Sequence, residues 1–148
     1  IAACRLVRFQ DVARTDFERR VNVGVLDRIL AGLDVGRGDV VEVSRWVVDP
    51  RFRQERLGGL LIAGLWALAL HLRIAAALAW AGTRDGQARA LVAMGGRPIP
   101  GMLPMKSTAW DDELQALSFA PVRPASPFRS WVERMNERLG FRELSWAR

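Results

Sequence analysis

The sequence predicts one α/β domain: a mixed (α+β-type) sheet with helices on both of its faces, three layers in all. Three observations lead there. Val40 to Val48 is β-branched and alternating, Leu57 to Leu72 is almost wholly apolar, and Ile74 to Ala81 is a second apolar run. A helix apolar on every side must be covered over most of its surface. Two strands flanking such a helix make a parallel crossover unit, which is expected to be right-handed. At 148 residues the chain has the length of a single domain. It can bury enough surface to stand without disulfide or metal.

The elements follow in order. Ile1 to Phe9 is apolar and β-compatible, a first strand that begins as though in mid-element, so a segment is expected to precede it. Thr15 and Asp16 can cap a helix whose apolar residues, Phe17 through Leu33, recur at helical spacing. Gly32, Gly36 and Gly38 end it. In the strand Val40–Val48, simple alternation sends Glu42, Ser44 and Trp46 to one face and Val43, Arg45 and Val47 to the other. Asp49-Pro50 breaks the strand, Arg51 to Arg56 forms a basic turn, and the apolar helix follows. After Ile74–Ala81, a helix over Thr83–Met94 capped by Thr83 or Asp85 ends at Gly95-Gly96. Arg97 to Met105 reads as extended, Glu113 to Pro121 as a strand, and Pro127 to Leu139 as an amphipathic helix.

Composition excludes several chemistries. Cys4 is the only cysteine and His71 the only histidine, so an intrachain disulfide or a Cys/His zinc site lacks partners. His71 falls in an apolar helical stretch and reads as a packed or capping residue. The net charge of +6 is almost all arginine, with Lys106 the sole lysine. Those arginines are scattered beside acids, whereas nucleic-acid binding favours a basic stripe with interleaved aromatics. A moderately basic surface suits an acidic partner such as a phosphopantetheine-bearing carrier protein or the phosphates of coenzyme A. The apolar run from Leu57 is too short to span a bilayer, and no signal peptide is visible, so a cytoplasmic protein without a transmembrane segment is expected.

Three clusters could carry chemistry. Glu42 in the middle of an apolar strand is costly unless paired or used. It reads either as a general base for an incoming amine or as one half of a buried bridge to an arginine. In the turn Asp49 to Gly59, free backbone N–H groups at a helix start make an anion site; Gly58 and Gly59 would equally serve close packing. Thr83, Arg89, Gly95, Pro98 and Gly101 would close the far side of a cleft, though each alone is an ordinary cap or turn residue.

Together these clusters resemble a family. The stretch Val40 to Met94 is similar to the strand–turn–helix motif of the GNAT acyltransferases. In the turn, Arg53 and Gly58 match the pattern Arg/Gln-x-x-Gly-x-Gly/Ala, while Arg56 replaces its middle glycine. Within that superfamily, Glu42-Val43-Ser44-Arg45-Trp46, the spacing of Thr83, Arg89 and Gly95, and Arg5-Leu6 resemble the acyl-homoserine lactone (autoinducer) synthases. The resemblance implies a transferase that moves an acyl group from an acyl-carrier-protein or coenzyme A thioester onto an amine, with S-adenosylmethionine as that amine's source and no permanently bound cofactor. It implies Glu42 as base, Arg45 as organiser of the acyl pocket, Arg5 and Ser44 in the substrate site, and Thr83 near the acyl chain. Backbone N–H groups around Trp46 and Val47 would polarise the thioester in a gap between two splayed strands, and Arg51, Arg53, Gly58 and Gly59 would meet the donor's phosphates. Asp49 to Arg53 looks more like ordinary GNAT enzymes or the long-chain N-acyl amino acid synthases. A degenerate, non-catalytic binding module is the third expectation, since the chain has no tyrosine to protonate a leaving thiol.

Overall fold

The computed structural model describes residues 2–55 and 57–141, with side chains for all of these except 53–55. Strand β1 (Ala2–Arg8) is followed by helix α1 (Val23–Leu33), β2 (Val40–Val48), α2 (Leu57–His71) and β3 (Ala76–Gly82). Helix α3 (Gln87–Ala93), β4 (Arg97–Pro98), β5 (Met105–Ser107), β6 (Asp112–Phe119) and α4 (Ser126–Arg138) complete the chain. The sheet runs β1-β2-β3-β6-β4, with β5 also on β6. Among the described residues only β2 and β3 pair in parallel, the pair that α2 connects.

Alternation along the strands divides the core into two. On one face Val41, Ala77, Ala79, Leu117 and Phe119 pack with residues of α2, α3 and α4. On the other Val40, Ala76, Leu78 and Ala116 pack with Phe9, Phe17 and the Leu26–Leu30 stripe of α1. The expected mixed α/β sheet with helices on both faces is what forms. Alanines dominate β3, whose covering helix is α3, while α2 lies over β1 and β2. Close approach continues into α4: a Cβ on Gly59 would come within 2.8 Å of the Trp131 ring. His71 ends α2 and stacks on Phe141 at 4.4 Å between ring centres.

Two helices begin later than their sequence suggests. Thr15 does start a helical turn, because Glu18 N–H donates to Thr15 Oγ1 and Thr15 N–H donates to Glu18 Oε2, a reciprocal cap. That turn stops at once, and α1 starts afresh at Asn22, whose side chain accepts from Val25 N–H. Glu42 accepts the N–H of Phe17, a first-turn donor without an intrahelical partner, and so ties this turn to β2. Similarly, neither Thr83 nor Asp85 caps α3; Gly86 does so with φ of 75°, a left-handed conformation suited to glycine. Within the extended segment only Arg97–Pro98 and Met105–Ser107 are strand.

Candidate functional site

The site is set by the place where the central strands part. Strands β2 and β3 pair from Val40/Ala76 to Val43/Ala79. Beyond that, β2 runs on to Val48 while still paired to β1, and β3 runs on to Gly82 while still paired to β6. Backbone groups of a strand point alternately to its two neighbours, so some of those in 44–48 face this opening rather than a partner strand.

A bulge in β2 reshapes the gap. Ala3 pairs with Val47 and Arg5 with Ser44, so Arg45 and Trp46 together oppose Cys4 alone. Arg45 takes the extra position with φ of 56°. An extra residue reverses the alternation beyond it. Trp46 therefore packs on the α2 face, with ring atoms 3.1 Å from where a Gly58 Cβ would stand. Arg45 joins Glu42 and Ser44 on the α1 face, reaching Asp16 at 3.9 Å. Both side chains thus lie opposite to simple alternation.

One side chain crosses the opening. Gln87, the first residue of α3, accepts from Gly82 N–H on β3 at 2.9 Å and donates to Trp46 C=O on β2 at 3.3 Å. It takes the place of a missing ladder bond.

Each face carries a cleft. The α1-side cleft, of about 340 Å³, carries charge and is lined by Arg5, Arg14, Asp16, Arg19 and Arg45 among others. Arg5 is its hub: Nη2 donates to Asp16 Oδ2 at 2.7 Å and Nε donates to Ser44 Oγ at 3.1 Å. Behind it, Glu42 is 1% exposed. One Glu42 oxygen accepts Phe17 N–H at 2.7 Å, and the other lies 3.8 Å from Arg5 Nη2. Glu42 is thus paired within the protein, while Asp16 opens on the cleft. The α2-side cavity, about 20 Å³, lies beneath the parting point and is apolar, lined by Leu6, Val43, Trp66, Ala77, Leu91 and Phe119 with their neighbours.

The remaining expected residues are dispersed. Thr83 is exposed at the end of β3, with its hydroxyl 3.4 Å from Asp112, and lines neither cleft. Arg51 is paired with Asp49 at 2.8 Å. That guanidinium holds the Asp49 carboxyl below its usual range. Gly58 packs against Trp46 and Val48, and Gly59 against Trp131. The Arg53 side chain lies outside the described residues. Sequence reasoning missed Gln87, Arg14, Arg19 and the cleft role of Asp16. A lone glutamine after a glycine carries no signal, and the arginines lie in a stretch that reads as helix surface.

No family model matches the sequence, and no curated protein matches it. Solved structures do. A CoA-dependent acyl-homoserine lactone synthase, MesI, superimposes with a TM-score of 0.58 at 20% identity, over 97% of this chain and 65% of that one. Another CoA-dependent acyl-homoserine lactone synthase, BjaI, with SAM and isopentyl-CoA, gives a TM-score of 0.58 at 19% identity, over 97% of this chain and 61% of that one. The chain thus spans less than two thirds of either structure. The chain has their fold, a GNAT-like mixed α/β fold. Among the described residues no helix is long and apolar enough to cross a membrane.

Proposed function

We propose, for a chain with the GNAT-like acyltransferase fold, that it forms the core of an N-acyltransferase using a coenzyme A or carrier-protein thioester. The observation that carries this reading is the parting of β2 from β3 between two clefts of opposite character, one apolar and one lined by arginines. The acyl group widens the small α2-side cavity as it enters, the thioester carbonyl lies in the gap, and the amine approaches from the α1 side. Amine nitrogen attacks the carbonyl carbon, backbone N–H of 46–48 holds the oxyanion, and the C–S bond breaks to release thiolate, which takes up the proton that the nitrogen sheds. One such donor contributes about 3 kcal/mol, and fixing two substrates in register about 7 kcal/mol or more. The chain has no tyrosine, and a thiolate needs little help to leave.

The α1-side cleft favours an amine that also bears a carboxylate. Arg14, Arg19 and Arg45 would face the carboxylate, and Asp16 the ammonium group. S-adenosylmethionine, giving an acyl-homoserine lactone as in the autoinducer synthases of quorum sensing, and a free amino acid, giving an N-acyl amino acid, both meet that requirement. MesI and BjaI favour the former by fold. In this arrangement Asp16 is the carboxylate an amine reaches directly. Glu42 stands behind Arg5 and serves as base only through a water admitted there.

A binding module without turnover is the second reading, favoured by the enclosure of Glu42. Mass spectrometry of organic extracts from cells expressing the protein separates these. N-acyl lactones or N-acyl amino acids are expected; neither product, with thioester binding retained, would leave the module.

A further inference from the structure

Charge in the α1-side cleft does not balance. Arg5, Arg14, Arg19 and Arg45 line it, with Asp16 the one acid among the described lining residues. That carboxylate is shared three ways. Arg5 Nη2 lies 2.7 Å from Oδ2, Arg45 Nε 3.9 Å from the same oxygen, and Arg19 Nη1 3.8 Å from Oδ1. Arg14 donates instead to a neutral acceptor, the Glu18 carbonyl, at 3.1 Å. Glu42 stands behind Arg5 at 3.8 Å, and the Glu18 carboxylate is turned to Arg37. Four guanidiniums against the two carboxylates Asp16 and Glu42 leave two positive charges over. One of the four is there by a backbone exception. Arg45 reaches this face only through the bulge, at φ of 56°, a region that residues with side chains seldom occupy. Such outliers concentrate at binding and catalytic sites.

Building on the acyltransferase reading, we infer that the acceptor is an α-amino acid whose side chain is itself an anion, a carboxylate or a phosphate ester. An attacking amine is uncharged. In that form an amino acid with a neutral side chain carries one negative charge, and S-adenosylmethionine, with its sulfonium, carries none. An amino acid with an acidic side chain carries at least two, which is what the cleft leaves uncompensated. The amine meets Asp16, the α-carboxylate one guanidinium and the side-chain anion another. Arginine suits either anion, since its paired N–H groups match two oxygens at once. A sulfonium would enter against the cleft's own positive field. The volume of about 340 Å³, at the lower end for small-molecule sites, fits an acceptor of amino-acid size.

The test titrates the protein calorimetrically with L-glutamate, O-phospho-L-serine, L-glutamine and S-adenosylmethionine. Thiol release from acetyl-, hexanoyl- and decanoyl-coenzyme A is then followed with each amine. Glutamate or O-phosphoserine is expected to bind about tenfold tighter than glutamine, by a margin that narrows as salt is raised, and to give the faster release. Whichever of the two leads identifies the anion as carboxylate or phosphate. Arg14→Gln and Arg19→Gln should each cut the preference to about twofold, whereas Arg14→Lys, which retains the charge, should keep most of it. If glutamine or S-adenosylmethionine binds as tightly as both anionic amines, if none binds, or if the preference survives in both glutamine variants, the inference is overturned. Thiol release driven by the other amines would then leave the acyltransferase reading standing. Selective binding with no amine-dependent thiol release would instead overturn that reading, and the acceptor role with it.

Discussion

Arg5 separates two carboxylates with different duties. Asp16 faces the cleft, so Asp16→Asn should remove acyl transfer by about 100-fold or more with the thermal midpoint almost unchanged. Glu42 is buried against Phe17 N–H and Arg5. Glu42→Ala would leave that N–H unsatisfied and cost about 2 kcal/mol, visible as a midpoint several degrees lower. Comparing kcat with melting temperature for both variants checks the assignment; a fully stable, inactive Glu42→Ala would instead make Glu42 the base. Cys4 offers a pH test of the β1–β2 packing. Burial pushes its thiol up to about 11, against a small lowering from its backbone hydrogen bond with Arg5. Since the thiolate is the reactive form, alkylation by iodoacetamide at pH 8 should run on the order of 100-fold slower in the folded protein than in denaturant. The rate should climb only as pH approaches 11. Glu42 was legible from sequence as a residue needing an explanation, because a carboxylate in an apolar strand is rare; its partners were not, since Phe17 N–H comes from a loop that the apolar periodicity disguises as helix.

Among the elements, β2 matches its sequence prediction at both ends, since β-branched alternation is a local property. Its bulge escaped because nothing in Ser44-Arg45-Trp46 distinguishes a strand with an extra residue from a regular one. That single insertion moved Trp46 and Arg45 to faces opposite those expected. The start of α3 is a further element whose role emerges only in three dimensions. Gln87 bridges Gly82 and Trp46 where strand pairing has ended. Gln87→Leu removes both bonds at near-constant volume. Its stability loss should be about 1 kcal/mol per bond at most, whereas KM for the thioester should change about tenfold with kcat less affected. Gln87→Glu keeps the bond from Gly82 N–H but sets a carboxylate against the Trp46 carbonyl, and should be worse than Leu. Equal KM values for wild type and both variants would reduce Gln87 to a bystander.

At the level of the whole molecule, order and type of the main elements follow from hydrophobic period, because a buried helix between two apolar runs admits few topologies. The pairing of clefts on opposite faces does not follow, as it depends on which strands end their ladder together. That ending has a mechanical side. From the Val43–Ala79 pair onward the sheet is two separately laddered leaves, β1 with β2 and β3 with β6, tied across their margin by one glutamine side chain. Spreading the leaves to admit a bulky thioester breaks no main-chain bond between neighbouring strands. What resists widening at that seam is then side-chain work: the two Gln87 bonds and the packing of Leu6, Val43 and Trp46 on the α2 face.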